Sequence, residues 1–161
     1  MATILNIETS AQMCSVAISQ DGAIIHRLSE QEGMNHAKAL APFVEDCMNY
    51  LSDHKIELDA VAVSMGPGSY TGLRIGLSTA KGICYGLNIP LITTPTLKML
   101  CVRPLLYEDI EEGALLCPMI DARRMEVYAA IYDRSLHCIR DTQADIIEES
   151  SYREFLDQHV V

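Results

Sequence analysis

Residues 64–76, Ser-Met-Gly-Pro-Gly-Ser-Tyr-Thr-Gly-Leu-Arg-Ile-Gly, constrain the fold of this chain more than any other segment. A run of small and β-branched residues, 60–64, precedes them, and a long amphipathic segment follows them. This order predicts a strand, a tight loop and the start of a helix. Such a junction directs backbone N–H groups and the positive end of a helix toward one point, where an anion or a partner carboxylate can bind.

Two phosphate-binding motifs can be tested against this loop, and both fail. A P-loop requires Lys and then Ser or Thr after its second glycine, whereas Leu73 and Arg74 follow Gly72. A dinucleotide fingerprint requires a third glycine where this chain has Thr71. The other interpretation is a structural loop with glycines at positive φ and with Ser69 or Thr71 as the helix N-cap. The residues of that structural loop are Gly66, Pro67, Gly68, Ser69 and Thr71.

The segment after the loop has the periodicity of an amphipathic helix. Apolar residues at i, i+4, i+7, i+11 and i+14 predict one buried stripe. Glycines recur in the same segment, and each costs about 1 kcal/mol relative to alanine inside a helix. They therefore favour a close helix–helix contact, within the fold or with a partner. The stripe is Leu73, Leu77, Ala80, Cys84 and Leu87, and the glycines are Gly72, Gly76, Gly82 and Gly86.

Length and composition predict a small cytoplasmic protein. The 161 residues suffice for one domain or one and a half. No stretch approaches the length of a membrane span, and the first four residues lack the basic region of a signal peptide. The six cysteines are widely spread without a Cys-x-x-Cys pair, so we expect reduced core thiols and neither a zinc site nor disulfides.

The formal net charge of −10 is unevenly distributed. Residues 1–106 carry nine acids and seven bases, whereas residues 107–161 carry thirteen acids and five bases. A nucleic acid backbone is repelled by such a surface, so we expect no unaided binding of nucleic acid. This pattern fits a surface that binds a basic partner protein, and it also fits a charged surface that only aids solubility.

The remaining periodicities predict an α/β fold that opens with an antiparallel meander of three strands. Asn35 or a neighbour is expected to cap the first helix, and Pro42 to kink or delay it. Past residue 112 the pattern of a hairpin ending in an acid repeats, which suggests a duplicated fold. Predicted strands are 3–8, 13–19, 23–28, 60–64, 90–93, 115–121, 126–132 and 136–139, followed by an acidic tail; predicted helices are 36–51, one from about residue 71, and one beginning near residue 95.

Several of these segments together resemble the bacterial TsaB family, also called YeaZ. The Gly-Pro-Gly-Ser-aromatic-Thr-Gly-Leu-Arg-Ile-Gly block is highly specific, and the Asp-Ala-Arg block in the second half is an independent match. The resemblance spans nearly the whole chain. The residues that carry it are 5–10, His36, Leu40, Pro42, 66–76, 120–123 and 126–128.

The resemblance implies the α/β fold of the actin-like and hexokinase-like ATPases, a ribonuclease H-like lobe with a mixed sheet. It implies a first lobe at 1–106, used for dimerisation, and the beginning of a second lobe of related topology at 107–161. Family chains usually exceed 200 residues, so the second lobe is expected to be incomplete. The family serves in forming threonylcarbamoyladenosine in tRNA.

The resemblance also implies a non-catalytic role. The catalytic relative TsaD holds a metal through a His-x-x-x-His pair, but the corresponding residues 94–100 contain no histidine, and none of the five histidines shows that spacing. His36 lacks a carboxylate or cysteine that would orient it as a base, and Glu8 lacks neighbouring glycines for a phosphate. We expect no catalytic, cofactor or metal site in the isolated chain, with nucleotide bound only at an interface of a complex.

The predicted function is that of a scaffold subunit that binds and activates TsaD, recruits the ATPase TsaE and meets tRNA only through the complex. A homodimer is expected when the chain is alone, and no membrane contact is expected. The alternatives are a glycoprotease-like metallopeptidase and a small-molecule kinase of the same superfamily. The predicted partner interface comprises His36, Leu40, Phe43, Val44, Cys47, Gly72, Leu73, Arg74, Gly76, Leu77 and Lys81.

Overall fold

The computed structural model describes residues 1–30, 36–158 and 160. They divide into two compact units, Met1–Thr94 and Pro95–Val161. The lobe limits predicted from the sequence, 1–106 and 107–161, stay a prediction. The predicted cap Asn35 lies outside the described residues.

The first unit contains a mixed five-stranded sheet with strand order β3-β2-β1-β4-β5. The first three strands form the predicted antiparallel meander, whereas β4 runs parallel to β1 and β5 parallel to β4. The predicted order of elements in this unit is confirmed. The elements are β1 (Thr3–Glu8), β2 (Cys14–Gln20), β3 (Ala23–Glu30), α1 (His36–His54), β4 (Ala60–Ser64), α2 (Tyr70–Leu87) and β5 (Leu91–Thr94).

Alternating apolar residues give the first two strands of the sheet one buried face. In β1 the side chains of Leu5 and Ile7 are buried, and in β2 those of Val16 and Ile18. Because successive side chains of a strand point to opposite faces, this alternation places all four on the same side. They belong to one hydrophobic core, which also includes Leu40, Cys47, Leu51, Val61, Val63, Ala80 and Cys84.

Helix α1 contributes the predicted apolar face to this core. Leu40, Cys47 and Leu51 are buried. The expectation that Pro42 delays the helix is wrong, since the helix begins at His36 and continues through Pro42 to His54. Proline inside a helix costs about 3 kcal/mol. Burial of the apolar side chains on both sides of Pro42 offsets this cost.

Three stacked rings also hold α1 on β3. The ring of His26, on β3, stacks on Tyr50 of α1 with centroids 4.4 Å apart, and Tyr50 stacks on His54 at 4.0 Å. His26 Nε2 also lies 2.6 Å from a carboxylate oxygen of Asp46 on α1. The outer strand of the meander and the helix are therefore linked by side chains that are partly open to solvent.

The second unit contains α3 (Thr96–Tyr107), β6 (Met119–Arg123), β7 (Glu126–Tyr132), β8 (Cys138–Ile146) and α4 (Arg153–Leu156). Its three strands form an antiparallel meander in the order β6-β7-β8. Leu97 and Cys101 of α3 share a small core with Ala130 and Tyr132 of β7. The last predicted strand, 136–139, is too short: β8 extends through Ile146 into the segment assigned to the acidic tail.

A polar cluster ties the segment after β8 to that strand. The guanidinium of Arg140 donates two hydrogen bonds to the carboxylate of Asp145, at 2.7 and 2.8 Å, and the hydroxyl of Tyr152 donates a third at 2.7 Å. These bonds lower the pKa of Asp145, while burial and the bond to Asp145 raise the pKa of Tyr152. The charge of Asp145 is thus compensated within the chain.

No helix among the described residues is long and apolar enough to cross a bilayer. The prediction of core cysteines is confirmed for Cys14, Cys47, Cys84 and Cys101, which are buried, whereas Cys117 is half-buried and Cys138 is exposed.

This burial pattern predicts selective alkylation. Burial raises the pKa of Cys47 and of Cys101 to about 11, and a thiol reacts as its thiolate. Desolvation and a hydrogen bond to Asp141 also raise the pKa of Cys138, but this thiol is accessible, so its labelling should accelerate as the pH rises. We expect iodoacetamide to modify Cys138 first in the native protein, as measured by peptide mass spectrometry. Equal labelling of Cys47 and Cys138 without denaturant would contradict the described core.

Candidate functional site

The turn after β1 is held against the N-terminus of α2. Thr9 is fully buried, and its hydroxyl donates a hydrogen bond of 2.8 Å to the carbonyl oxygen of Gly72. The backbone N–H of Ser69 donates to the carbonyl oxygen of Ser10 at 2.6 Å. The strand end and the helix start are thus fixed to each other by hydrogen bonds in both directions.

The same turn is also held against α1. His36, the first residue of that helix, is buried, and its Nε2 lies 2.8 Å from the carbonyl oxygen of Ala11. An Nε2–H tautomer donates to this carbonyl, so the imidazole serves as a link between α1 and the turn. Residues 9–11 consequently connect the N-termini of both helices, and we call them the β1–β2 turn.

Two glycines of α2 make this contact possible. A Cβ added at Gly72 would collide with the carbonyl oxygen of Thr9, and one added at Gly76 would collide with the Thr9 hydroxyl. The predicted helix–helix contact is therefore wrong for these two positions, because their close neighbour is the β1–β2 turn. A Cβ at Gly82 or Gly86 would meet nothing within 4 Å.

The glycine-rich loop is organised by bonds within the chain. Ser69, and not Thr71, is the N-cap of α2, and its hydroxyl accepts the N–H of Gly72 at 3.2 Å. Gly66 has a φ of +106°, a conformation that glycine adopts far more readily than other residues. Gly68 lies so close to Ser10 that a Cβ would collide with its carbonyl oxygen. These contacts support the structural interpretation of the loop.

The carboxylate of Glu8 lies at the end of β1, beside this loop. One of its oxygens accepts the N–H of Ser10 at 2.6 Å and the hydroxyl of Ser64 at 3.0 Å. The other oxygen is buried without a hydrogen-bond partner among the described residues. Glu8 thus contributes to holding the β1–β2 turn beside the end of β4.

The buried face of α2 differs from the predicted stripe. Gly72, Gly76, Ala80 and Cys84 are buried, whereas Leu87, which the stripe placed in the core, is 48% exposed. Leu73 and Leu77 are half-buried. The helix is rotated toward its glycines because only they allow its backbone to approach Thr9.

This rotation leaves an exposed face with aromatic and basic side chains. Residues 70, 74, 77, 81 and 85 share one side of the helix at its 3.6-residue period. Tyr70 and Tyr85 are 70% and 92% exposed, and the chain places no acid anywhere in α2. We call this side, formed by the exposed Tyr70, Arg74, Lys81 and Tyr85 and the half-buried Leu77, the outer face of α2.

The predicted interface residues fall into three groups. Leu40 and Cys47 lie in the core, and Gly72 and Gly76 pack against Thr9, so none of these four presents a side chain to a partner. His36 is buried against Ala11. Phe43, Val44, Leu73 and Leu77 are half-buried, and Arg74 and Lys81 are exposed.

Other residues of this region were not predicted from the sequence. Thr9 and Ser10 directly follow the first strand, in the place where a strand end meets the next loop. Tyr70 and Tyr85 share the helical period of Arg74 and Lys81, which was a usable signal. Among the described residues, no three His, Cys, Asp or Glu side chains converge in a way that could hold a metal ion.

Comparison with known proteins assigns the family. The model of the family described as "TsaD: tRNA N6-adenosine threonylcarbamoyltransferase" matches residues 24–153. The protein named tRNA threonylcarbamoyladenosine biosynthesis protein TsaB from Bacillus subtilis is 32% identical over 81% of this chain and 55% of its own length. The protein of the same name from Escherichia coli is 34% identical over 81% of this chain and 55% of its own length.

The chain belongs to the TsaB (YeaZ) family. The structure of YeaZ from Pseudomonas aeruginosa superimposes with a TM-score of 0.76 at 28% identity, and the match covers 92% of this chain and 70% of that one. Together with the mixed sheet, this confirms the predicted α/β fold, which the chain shares with YeaZ. The chain spans 55% of the length of each of the two TsaB relatives above.

Alanine should change the stability of the chain in opposite directions at the α2 glycines that contact Thr9 and at those whose Cβ would meet open space. We expect Gly76→Ala to destabilise the chain by about 1–3 kcal/mol, because its Cβ must displace the buried Thr9 side chain. Gly82→Ala is the matched control on the same helix, and we expect it to stabilise by up to about 1 kcal/mol. Urea unfolding followed by circular dichroism measures both changes. Equal effects at the two positions would contradict the contact with Thr9.

The Thr9 hydroxyl should contribute measurably to stability. We expect Thr9→Val to lower the free energy of unfolding by about 1 kcal/mol, since it removes the buried donor to Gly72 and keeps the shape of the side chain. Thr9→Ser keeps the hydroxyl donor and removes only the methyl group, so it measures the contribution of the methyl group separately. If Thr9→Val unfolds at the same urea concentration as the parent chain, the hydrogen bond adds nothing.

Proposed function

We propose that this chain acts in tRNA threonylcarbamoyladenosine biosynthesis as a non-catalytic scaffold subunit that binds and activates TsaD. The names of its TsaB relatives support the pathway. The outer face of α2 is the observation that carries the scaffold role. It displays two tyrosines and two cations on one side of a helix whose other side is fixed to the sheet.

This face has the composition of a protein interface. Tyrosine and arginine are enriched where proteins bind each other, and they dominate the binding energy there. The half-buried Phe43 and Val44 of α1 are part of the same proposed interface, and they pack against the core that also supports α2. The proposal reduces the predicted list to its surface members: Phe43, Val44, Leu73, Arg74, Leu77 and Lys81.

The other predicted partners belong to the same proposal. TsaE is recruited to the complex, and a nucleotide binds at an interface of the complex. The net charge of −10 disfavours contact with the tRNA backbone by this chain alone, so this chain meets tRNA only through the complex. A homodimer forms in the absence of TsaD, and the location is the cytoplasm.

A reconstitution experiment tests the scaffold role. The chain is mixed with the TsaD protein of the same genome, and association is measured by size-exclusion chromatography with light scattering. We expect a 1:1 complex, because each chain offers one outer face of α2. In a bacterium depleted of its own TsaB, the chain should restore threonylcarbamoyladenosine in tRNA, as measured by mass spectrometry of nucleosides.

Lys81→Glu provides the matched test within this experiment. It should weaken the TsaD complex several-fold, and more so at low salt, because it reverses a charge on the outer face. Arg27→Glu makes the same change of charge on β3 and should leave binding intact. Lack of any complex, or turnover of substrate by this chain without TsaD, would overturn the scaffold proposal.

A further inference from the structure

The Asp-Ala-Arg block of the sequence forms one side of the hairpin between β6 and β7. The pairing of the two strands shifts between Asp121 and Arg123, so Ala122 is an extra residue that makes a β-bulge. The carboxylate of Asp121 accepts the backbone N–H of Arg123 at 2.7 Å. The side chain of this acid therefore holds the bulge that positions Arg123.

The tip of this hairpin has a strained backbone. Arg123, Arg124 and Met125 have φ angles of +68°, +55° and +66°, in the left-handed region that residues other than glycine rarely adopt. A two-residue hairpin turn with positive φ at both central positions favours Asn and Gly, whereas Arg124 and Met125 occupy these positions here. Residues held in this conformation cluster at ligand-binding and other functional sites.

The strained tip presents two neighbouring guanidinium groups to solvent. Arg123, Arg124 and Met125 are all exposed, and Met125 is 86% exposed. Neither arginine forms an ion pair with an acid among the described residues, although Glu126 stands opposite Arg123 in the strand pairing. Residues 107–161 contain thirteen acids and only five bases. The hairpin tip therefore offers two adjacent cations in an acidic part of the chain.

We propose that Arg123 and Arg124 contact the phosphate backbone of the tRNA when the complex holds it. A guanidinium group stays charged and binds phosphate oxygens through two parallel N–H groups, so it suits a phosphate better than the point charge of a lysine does. This inference rests on the proposed function, and it assigns to this chain one contact with the substrate of the complex.

A local contact of this kind is compatible with the net charge of −10. At physiological ionic strength, charges are screened beyond about 8 Å, so a phosphate at the tip interacts with the two arginines more than with distant acids. The same acids disfavour binding of RNA by the chain alone, which makes the contact depend on the complex. Phosphate contacts position a nucleic acid and do not read its bases, so we expect the hairpin to orient the tRNA.

The small size of the tip favours RNA over an acidic protein surface. A stable protein interface needs about 800 Å² on each partner. A phosphate contact needs only the guanidinium groups, and the tip consists of a two-residue turn and the residue before it. The other contacts that hold the tRNA come from the rest of the complex.

The affinity of the complex with TsaD for tRNA tests this assignment, as measured by fluorescence anisotropy at several salt concentrations. We expect Arg123→Gln/Arg124→Gln to raise the Kd about tenfold or more at low salt, and to reduce the slope of log K against log salt by about 1 for each lost contact. Arg103→Gln/Arg134→Gln removes two other exposed charges of the second unit and should bind like the parent chain. Thermal melting should give both double variants the Tm of the parent chain, because all four side chains are exposed.

Cross-linking gives a direct readout of the contact. A benzophenone amino acid at position 125 should cross-link to the tRNA in the complex, because Met125 is exposed beside Arg124. The same amino acid at position 107 is the matched control, since Tyr107 on α3 is 81% exposed but lies outside the hairpin. Equal cross-linking from positions 107 and 125 would contradict a specific contact at the tip.

The outcomes separate the two proposals. If the complex forms and both double variants bind tRNA like the parent chain, the hairpin inference is wrong and the scaffold role stands. If Arg123→Gln/Arg124→Gln weakens the binding of TsaD and leaves the tRNA affinity of the complex unchanged, the tip binds an acidic protein surface and the inference is also wrong. If the parent chain does not bind TsaD, the scaffold role fails, and the inference fails with it because the tRNA reaches the hairpin only in the complex.

Discussion

The fixation of the β1–β2 turn against α2 is the constraint on which the first unit depends. Thr9 is fully buried against Gly72 and Gly76, and its hydroxyl donates a hydrogen bond to the carbonyl oxygen of Gly72 in the first turn of the helix. Because the helix must approach Thr9 closely, its rotation about its own axis is fixed. That rotation directs the glycine side to the sheet and the side bearing Tyr70 and Arg74 to solvent.

The same arrangement uses N–H groups of the glycine-rich loop for contacts within the chain. A loop before a helix normally offers free N–H groups to an anion. Here the N–H of Ser69 donates to Ser10 and the N–H of Gly72 donates to Ser69, so two of these donors are used within the chain. These N–H groups, which could bind an anion in another protein, instead join the β1–β2 turn to the start of α2.

The chain as a whole is acidic, but helix α2 is basic. The net charge of the chain is −10, and the acids are concentrated after residue 106, whereas α2 contains two bases and no acid. In the second unit Arg140 compensates Asp145 through paired hydrogen bonds. On α2 the cation of Arg74 instead rests on an aromatic ring and stays open to solvent. Arg74 forms no ion pair with an acid among the described residues, and a positioned charge of this kind is suited to an interaction with another molecule.

The sequence alone determined the order of elements in the first unit, its antiparallel meander, the buried face of α1 and the family. These depend on local periodicity, as in β2 and around Leu40, and on a long specific motif, and both can be read without coordinates. Only the tertiary structure decided which face of α2 is buried. Hydrophobic periodicity gives no weight to glycine, so it predicted a core stripe through Leu87, whereas the close approach to Thr9 rotates the helix toward Gly72 and Gly76. That contact joins residues more than sixty positions apart, and no local pattern encodes it.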